Sequence, residues 1–263
     1  MKFTAVAFLA LVGCVAAGKP QLTVQVRDGK YDGLDGLDPA VTWSNSAKSG
    51  DIDLEYGIEA SARPTTDLAS LPKNVWGKAS ADVSGWGVSA RAEVDAQARN
   101  NADIEVNAVN EENDVSVKMV ANAGSDFSVQ RVEATKGFDA GGARVTVNPR
   151  YNVGKEEADV VVHYNNDKTN VKLTASTDNQ EVTVSQQIDG DNRVAPTLAS
   201  NGDISVEWER KLGDDNSLTA TLKPNDSLDL EWKDQAWTAN INMPIDGTSV
   251  SGANVSIKRE IKF

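Results

Sequence analysis

The stretch Gly85–Ala98, GWGVSARAEVDAQA, constrains the fold of this chain more than any other part of the sequence. From Trp86 onward every second residue is apolar or small, and the residues between them are mostly polar or charged. Alternation with a period of two is typical of a β-strand, whereas an amphipathic helix repeats every 3.6 residues. The stretch therefore predicts a strand with one apolar face and one polar face.

Most later segments repeat this alternation at shorter length. They are separated by turns rich in Asn, Asp and Gly, residues that tolerate the positive φ angles of tight hairpins. The pattern predicts an antiparallel up-and-down meander of about 18 strands and no helix in the mature chain. The predicted strands are Leu22–Val26, Ala40–Trp43, Ile52–Ala62, Val75–Val83, Trp86–Ala98, Ile104–Val109, Val115–Ala121, Phe127–Ala134, Ala143–Val147, Val160–Tyr164, Val171–Ala175, Val182–Ile188, Arg193–Leu198, Ile204–Leu212, Leu218–Leu222, Leu228–Trp232, Trp237–Met243 and Ala253–Phe263.

The first 17 residues have the features of a secretory signal peptide. One basic residue precedes an apolar run, and small residues end the segment. The run is too short to span a bilayer as a helix. Cleavage before Gly18 leaves residues 18–263 as a single all-β domain. A bacterial lipobox, in which Cys14 is lipidated, stays open as an alternative.

The presequence also resembles those of diatoms and related algae with complex plastids. In that group an aromatic residue after the cleavage site directs import into the plastid, and this chain has Gly18 there. The resemblance therefore leaves open an outer plastid membrane, another secretory compartment and the cell surface.

Charge and residue types exclude several classes of function. The chain has 26 basic and 39 acidic residues, a formal net charge of −13, so it lacks the clustered cations that nucleic-acid binding needs. His163 is the only histidine and Cys14 the only cysteine, which predicts no metal site, no cofactor and no enzyme. The run from Asp189 to Asn192 resembles the start of a calcium loop, but it lacks the later ligands and favours a hairpin turn.

A meander of this length predicts closure. Open twisted sheets rarely exceed about ten strands, and a barrel removes the unpaired edges. The prediction is a single barrel of about 16–18 strands; a soluble β-sandwich or a large soluble barrel is the alternative. The apolar face meets lipid in a membrane barrel and forms the core in a soluble protein, so alternation does not choose between them. The segment Arg63–Lys73 either covers an edge or folds inward as a plug.

The last segment, Ala253–Phe263, alternates Val255, Ile257 and Ile261 and ends on an aromatic residue. It resembles the closing strand of outer-membrane porins, and the repeated short hairpins resemble those of porins and of voltage-dependent anion channels. The resemblance implies an envelope membrane barrel that passes small hydrophilic solutes or ions. Arg259 departs from the pattern, because it interrupts the apolar face.

The polar face carries the candidate site. In a membrane barrel this face lines the pore, and its excess of carboxylates predicts a weak preference for cations. The predicted pore-lining residues are Asp53, Glu55, Glu59, Arg91, Glu93, Asp95, Glu105, Lys118, Arg144, Glu207, Glu209, Asp229 and Glu231. The alternative is a soluble secreted or lumenal β-protein with a structural role or an apolar interior that binds lipid or pigment. The oligomeric state stays open.

Two features disfavour the membrane barrel. Three or four alternating apolar residues cover only about 13–20 Å along a strand, less than the apolar band of roughly 25 Å that a transmembrane barrel presents. Aromatic girdles are also sparse, because the tryptophans are limited to a few positions. They are Trp43, Trp76, Trp86, Trp208, Trp232 and Trp237.

Overall fold

A computed structural model describes residues 21–26, 37–62, 65–98, 100–246, 249–250 and 252–262. The predicted signal peptide and Cys14 lie outside the described residues. Within them the structure is almost entirely β-strand, with a single 3-10 turn at Leu68–Ser70. No helix in this part of the chain is long and apolar enough to cross a bilayer.

The strands follow one another along the chain with short connections. They are β1 (Gln21–Val26), β2 (Leu37–Ser49), β3 (Ile52–Ser61), β4 (Pro72–Val83), β5 (Trp86–Asp95), β6 (Ala102–Asn110), β7 (Val115–Ala123), β8 (Phe127–Ala140), β9 (Ala143–Asn152), β10 (Glu157–Asn165), β11 (Thr169–Ser176), β12 (Gln180–Gln187), β13 (Asn192–Ala199), β14 (Ile204–Gly213), β15 (Asn216–Lys223), β16 (Ser227–Asp234), β17 (Trp237–Asp246), β18 (Ser249–Val250) and β19 (Asn254–Lys262).

The sheet closes on itself. Each strand from β1 to β17 pairs antiparallel with the next, and β17 pairs with β19. The first strand closes the ring because it pairs with β2 on one side and with β19 on the other. The two-residue β18 only extends the end of β17. The ring of β1–β17 and β19 confirms the predicted up-and-down barrel and excludes the sandwich.

The register sets the width of the barrel. A path that moves from each residue to its paired residue on the next strand returns to β1 about 20 residues away from where it started. This offset along the strand is the shear of the barrel. With ordinary strand geometry this shear gives a strand tilt of about 37° and a backbone radius of about 17 Å. Barrels of this size leave an open interior, because side chains are too short to fill it.

Most strands are longer than the sequence predicts. The predicted strand Val160–Tyr164 extends over Glu157–Asn165, because the flanking polar residues also join the ladder. Apart from β1, ring strands have 8 to 14 residues, and 8 to 10 residues at this tilt span about 21–26 Å along the barrel axis. This height approaches the roughly 25 Å apolar band of a transmembrane barrel, which the predicted runs of alternating apolar residues were too short to cover.

The strand at Trp86 ends earlier than the alternation predicts. The pattern continues to Ala98, but β5 stops at Asp95. The Asp95 carboxylate accepts hydrogen bonds from the backbone N–H groups of Gln97 at 2.7 Å and Ala98 at 3.2 Å. Side-chain bonds of this kind compete with the sheet ladder and start a turn.

The two ends of the barrel differ. Turns of two to four residues join β2 to β3, β4 to β5 and so on to β16 and β17, and we call this end the short-turn rim. The opposite end, the long-loop rim, includes the longer connections 62–71 and 96–101. Gln21 pairs with Lys262, so the described chain enters and leaves the ring from the side of the short-turn rim.

The predicted plug segment lies at the long-loop rim. Pro72 and Lys73 belong to β4, and Leu68 is 73% exposed. The Gln97 amide on the neighbouring loop donates to the carbonyl oxygens of Ala69 at 3.3 Å and Pro72 at 3.0 Å. These hydrogen bonds hold the described part of this segment against the adjacent loop.

The barrel has almost no core. Among the described residues no large side chain is fully buried. Large apolar side chains are instead exposed, including Phe127 at 61% and Phe138 at 49%. Neither face of the sheet is therefore packed against a second layer. The buried apolar residues are Ala40, Ala121, Ala143, Val161 and Ala195.

Candidate pore lining

The register sorts the strand residues onto two faces. In antiparallel strands, directly paired residues share a face. One continuous row across six strands is Val147, Val162, Leu173, Val182, Leu198 and Ile204. We call this side the apolar face. The opposite side, the charged face, carries rows such as Lys78, Arg91 and Glu105.

All thirteen predicted pore-lining residues lie on the charged face. Their positions alternate in phase with the Lys78 row along strands β3, β5, β6, β7, β9, β14 and β16. They are Asp53, Glu55, Glu59, Arg91, Glu93, Asp95, Glu105, Lys118, Arg144, Glu207, Glu209, Asp229 and Glu231. They do not form one cluster, because they are spread around the ring.

On β3–β10 five carboxylates of the charged face each have one cation within 4 Å. We call these five ion pairs the paired belt. Its ion pairs are Glu55 with Lys78 at 3.8 Å, Glu93 with Arg91 at 2.8 Å, Glu105 with Lys118 at 2.6 Å, Glu133 with Arg131 at 3.0 Å, and Asp159 with Arg150. These side chains are part-exposed, and such pairs contribute only about 0–1 kcal/mol each. Their main effect is to fix side-chain positions and to cancel charge locally.

On β13 and β14 one cation faces two carboxylates. Arg193 is shared between Glu207 at 2.8 Å and Glu209 at 2.5 Å, and it also donates to the Ser185 hydroxyl at 3.1 Å. On β16, Glu231 pairs with Lys233 at 2.6 Å. The Asp229 carboxylate accepts from the Asn242 amide at 2.5 Å, a neutral donor. We call Arg193, Glu207, Glu209, Asp229, Glu231 and Lys233 the acidic sector.

Arg144 is held near the short-turn rim. Its guanidinium lies 2.5 Å from Asp114 in the β6–β7 turn and 3.5 Å from Asp139 on β8. Gly137 makes room for this arrangement, because a Cβ there would overlap the Asp114 carboxylate. The site therefore depends on a glycine that the charge pattern alone does not single out.

Trp76 lies on the charged face and not in an aromatic girdle. One side of its ring covers Gly57, where a Cβ would lie 2.7 Å from ring carbons. The Arg91 guanidinium sits over the ring, 4.3 Å from its centre. Sequence reasoning missed this role, although Trp76 alternates in phase with Lys78. The ring thus orients Arg91, which in turn pairs with Glu93.

Sequence reasoning also missed three basic residues of the site. Arg131, Arg150 and Arg193 all carry ion pairs on the charged face. The alternation along their strands was sufficient to assign all three to the charged face. Their partners were not predictable, because Arg150 and Arg193 pair with residues on adjacent strands.

The turn at Asp189 is a hairpin turn. Its carboxylate accepts hydrogen bonds at 2.8 Å from the backbone N–H groups of Asp191 and Asn192, and from the Asn192 amide. The backbone bond from Asp191, then the Asn192 bonds, lower the pKa of Asp189 below its ordinary value. In the part of the chain that the structure describes, no group of three or more His, Cys, Asp or Glu residues is arranged to hold a metal ion.

Comparisons with solved structures match the fold. A triple mutant of the porin of Rhodopseudomonas blastica superimposes with a TM-score of 0.50 at 9% identity, over 93% of this chain and 99% of the porin chain. A double mutant of the same porin gives the same values. The outer membrane protein OpdK from Pseudomonas aeruginosa matches with a TM-score of 0.41 at 10% identity, over 94% of this chain and 99% of that one.

No protein-family model and no curated protein matches the sequence. At 9% identity the structural likeness establishes the fold alone. The chain is thus an all-β, porin-like barrel.

Proposed function

We propose that this chain is a membrane-spanning, porin-type channel that passes small hydrophilic solutes, with a weak preference for cations. The observation that carries the proposal is the closed ring whose apolar face is exposed while almost nothing is buried. A water-soluble protein of this size normally buries most of its apolar surface in a core. A bilayer supplies the missing apolar contact for such a ring.

The width of the ring supports placing the charged face inside. A barrel of about 17 Å backbone radius cannot be filled by Val, Ala and Leu side chains, so an apolar interior would be a large void. A charged interior is instead filled by water. The large apolar side chains are also the exposed ones, as expected on a convex surface where side chains diverge. The structural neighbours described above are named as porins, which agrees with this arrangement.

The proposed selectivity arises from carboxylates of the charged face that have no cation of their own, including those of the acidic sector. Arg193 faces two glutamates, and Asp229 is bound by a neutral amide. The paired belt contributes little net charge, because each of its carboxylates has its own cation. The thirteen predicted pore-lining residues keep that role in the proposal. Uncompensated carboxylates in a water-filled passage raise the local cation concentration.

The proposed location is an envelope membrane reached by the secretory route. An outer plastid membrane is one such membrane, following the resemblance of the presequence. The strand height of about 21–26 Å suits a bilayer with a hydrocarbon core at the thin end of the usual range.

Conductance tests the proposal. Residues 18–263, purified in detergent and reconstituted into planar bilayers, are expected to give stepwise conductance and a reversal potential that favours K⁺ over Cl⁻ in a KCl gradient. Single cysteines at Val88 on the apolar face and Glu93 on the charged face, labelled with a water-soluble maleimide, test the orientation. Glu93→Cys should react in membranes and Val88→Cys should not. A protein that stays monomeric in plain buffer with Val88→Cys protected would contradict the proposal.

A further inference from the structure

Charged side chains on the apolar face are confined to one half of the barrel. Within the described strands they are Lys136, Arg210, Asp234 and Arg259. Each lies within four residues of the strand end at the short-turn rim. Lys73, in the bulge at the other end of β4, approaches Glu59 of the charged face to 4.0 Å. The half of the apolar face next to the long-loop rim is therefore free of charge among the described strands.

Arg259 is stacked on a tryptophan. It pairs in register with Trp237 on β17, and its guanidinium lies 4.7 Å from the centre of the Trp237 ring. Arg259 is exposed and Trp237 is 38% exposed. Among the described residues no carboxylate lies within 4.0 Å of this guanidinium. A stacked guanidinium keeps its N–H edge available for an anion.

A second tryptophan extends this surface. Trp232, 38% exposed, pairs with Ala239, two residues beyond Trp237 on the same face. Arg210 pairs with Leu218, which in turn pairs with Trp232. We call Trp232, Trp237 and Arg259 the Trp237 patch, and Arg210 lies on the same face about four strand spacings, roughly 19 Å, from Arg259. The one acidic neighbour on this face, Asp234, has the Asn216 amide 2.5 Å from its carboxylate.

We propose that the Trp237 patch binds the phosphate group of an anionic membrane phospholipid in the leaflet at the short-turn rim. The proposal rests on the membrane-spanning channel proposed above. Tryptophan rings prefer the boundary between headgroups and hydrocarbon, which sets the depth of the patch in the bilayer. Arginine binds phosphate oxygens in a bidentate manner, and the ring beneath it holds the guanidinium in place.

The patch also explains the departure noted in the last strand. A cation in the middle of a lipid-facing band is costly, whereas a cation at headgroup depth is favourable on an anionic surface. Arg259 lies three residues from Lys262, the end of β19, and therefore near the rim. It interrupts the apolar pattern at the depth where lipid phosphates lie.

Native mass spectrometry of the protein in detergent micelles, titrated with phosphatidylglycerol or phosphatidylcholine, tests the site. The variant is Arg259→Gln and its matched control is Lys258→Gln, which removes the same charge from the adjacent residue on the charged face. Loss of one cation at an anionic membrane surface corresponds to about a fivefold loss of binding. We expect this loss of phosphatidylglycerol binding for Arg259→Gln, no change for Lys258→Gln, and weaker binding of phosphatidylcholine by the unmodified protein.

Two results would overturn the site. One is equal phosphatidylglycerol binding by Arg259→Gln and Lys258→Gln; the other is equal binding of both lipids by the unmodified protein. If Arg259→Gln does not fold, Trp237→Leu removes the ring beneath the guanidinium and should weaken phosphatidylglycerol binding in the same titration. A protein that conducts ions while Arg259→Gln binds lipid normally refutes this inference alone. A protein that needs no detergent refutes the channel.

Discussion

The paired belt and the acidic sector are built from the same alternation of residues but differ in how their charges are matched. In the paired belt each carboxylate has one cation, as in Glu105 with Lys118 at 2.6 Å. In the acidic sector Arg193 serves both Glu207 and Glu209. The five pairs of the belt cancel one another, whereas the six residues of the acidic sector include two more carboxylates than cations. The comparison teaches that the proposed selectivity depends on how individual charges are paired and not on composition alone.

The largest expected effect comes from a substitution that displaces the Trp76 ring, which orients Arg91 of the paired belt. Gly57→Ala places a Cβ 2.6 Å from the Trp43 backbone oxygen and 2.7 Å from the Trp76 ring, so backbone and ring must move. Overpacking of this kind costs about 1–3 kcal/mol. We expect a lower denaturation midpoint, measured by heat-modifiable migration in detergent gels. Gly87→Ala is the matched control, because its Cβ meets nothing closer than 3.5 Å. Equal stability of the two variants would show that Trp76 is not held against Gly57.

A medium effect is expected when one cation is removed from the acidic sector and, for comparison, from the paired belt. Arg193→Gln leaves Glu207 and Glu209 without their cation, two strands from Asp229 and Glu231. Arg91→Gln in the paired belt removes the same charge but leaves only Glu93 without its cation. At low salt we expect the K⁺/Cl⁻ permeability ratio to rise about two- to fivefold for Arg193→Gln and less for Arg91→Gln. Equal shifts in the reversal potentials would mean that the two regions contribute alike.

The smallest effect concerns the turn that leads into the strand of Arg193. Because hydrogen bonds from Asp191 and Asn192 lower the pKa of Asp189, its ionised carboxylate stabilises this turn. The contribution is fully present above the ordinary aspartate pKa of about 3.9, and it is lost as the pH falls through the lower folded value. We expect the protection factors of the Asp191 and Asn192 amides, taken relative to intrinsic exchange at each pH, to fall only below about pH 4. Asp189→Asn should remove that pH dependence, and protection factors that change near pH 7 would contradict it.

Alternation was enough to predict the strands and the two faces. Glu207 and Glu209 share a face because they are two residues apart, whatever the partner strand is. The match of Arg193 to both glutamates depends on the register of β13 against β14, which the turn at 200–203 sets. Strand ends were also missed where a local side-chain bond overrides the pattern, as at Asp95. Closure of the ring depends on the pairing of β1 with β19, which are far apart in the sequence. A short stretch of sequence contains no information on such a contact.

The position of β1 has a consequence for how the protein is made. The ring has one seam, where a six-residue strand near the start of the chain joins the last strand, more than two hundred residues later in synthesis. Until that final strand exists, β1 and β17 remain unpaired sheet edges, which are prone to pair with other chains. A translation product truncated before β19 is therefore an aggregation hazard rather than a smaller barrel.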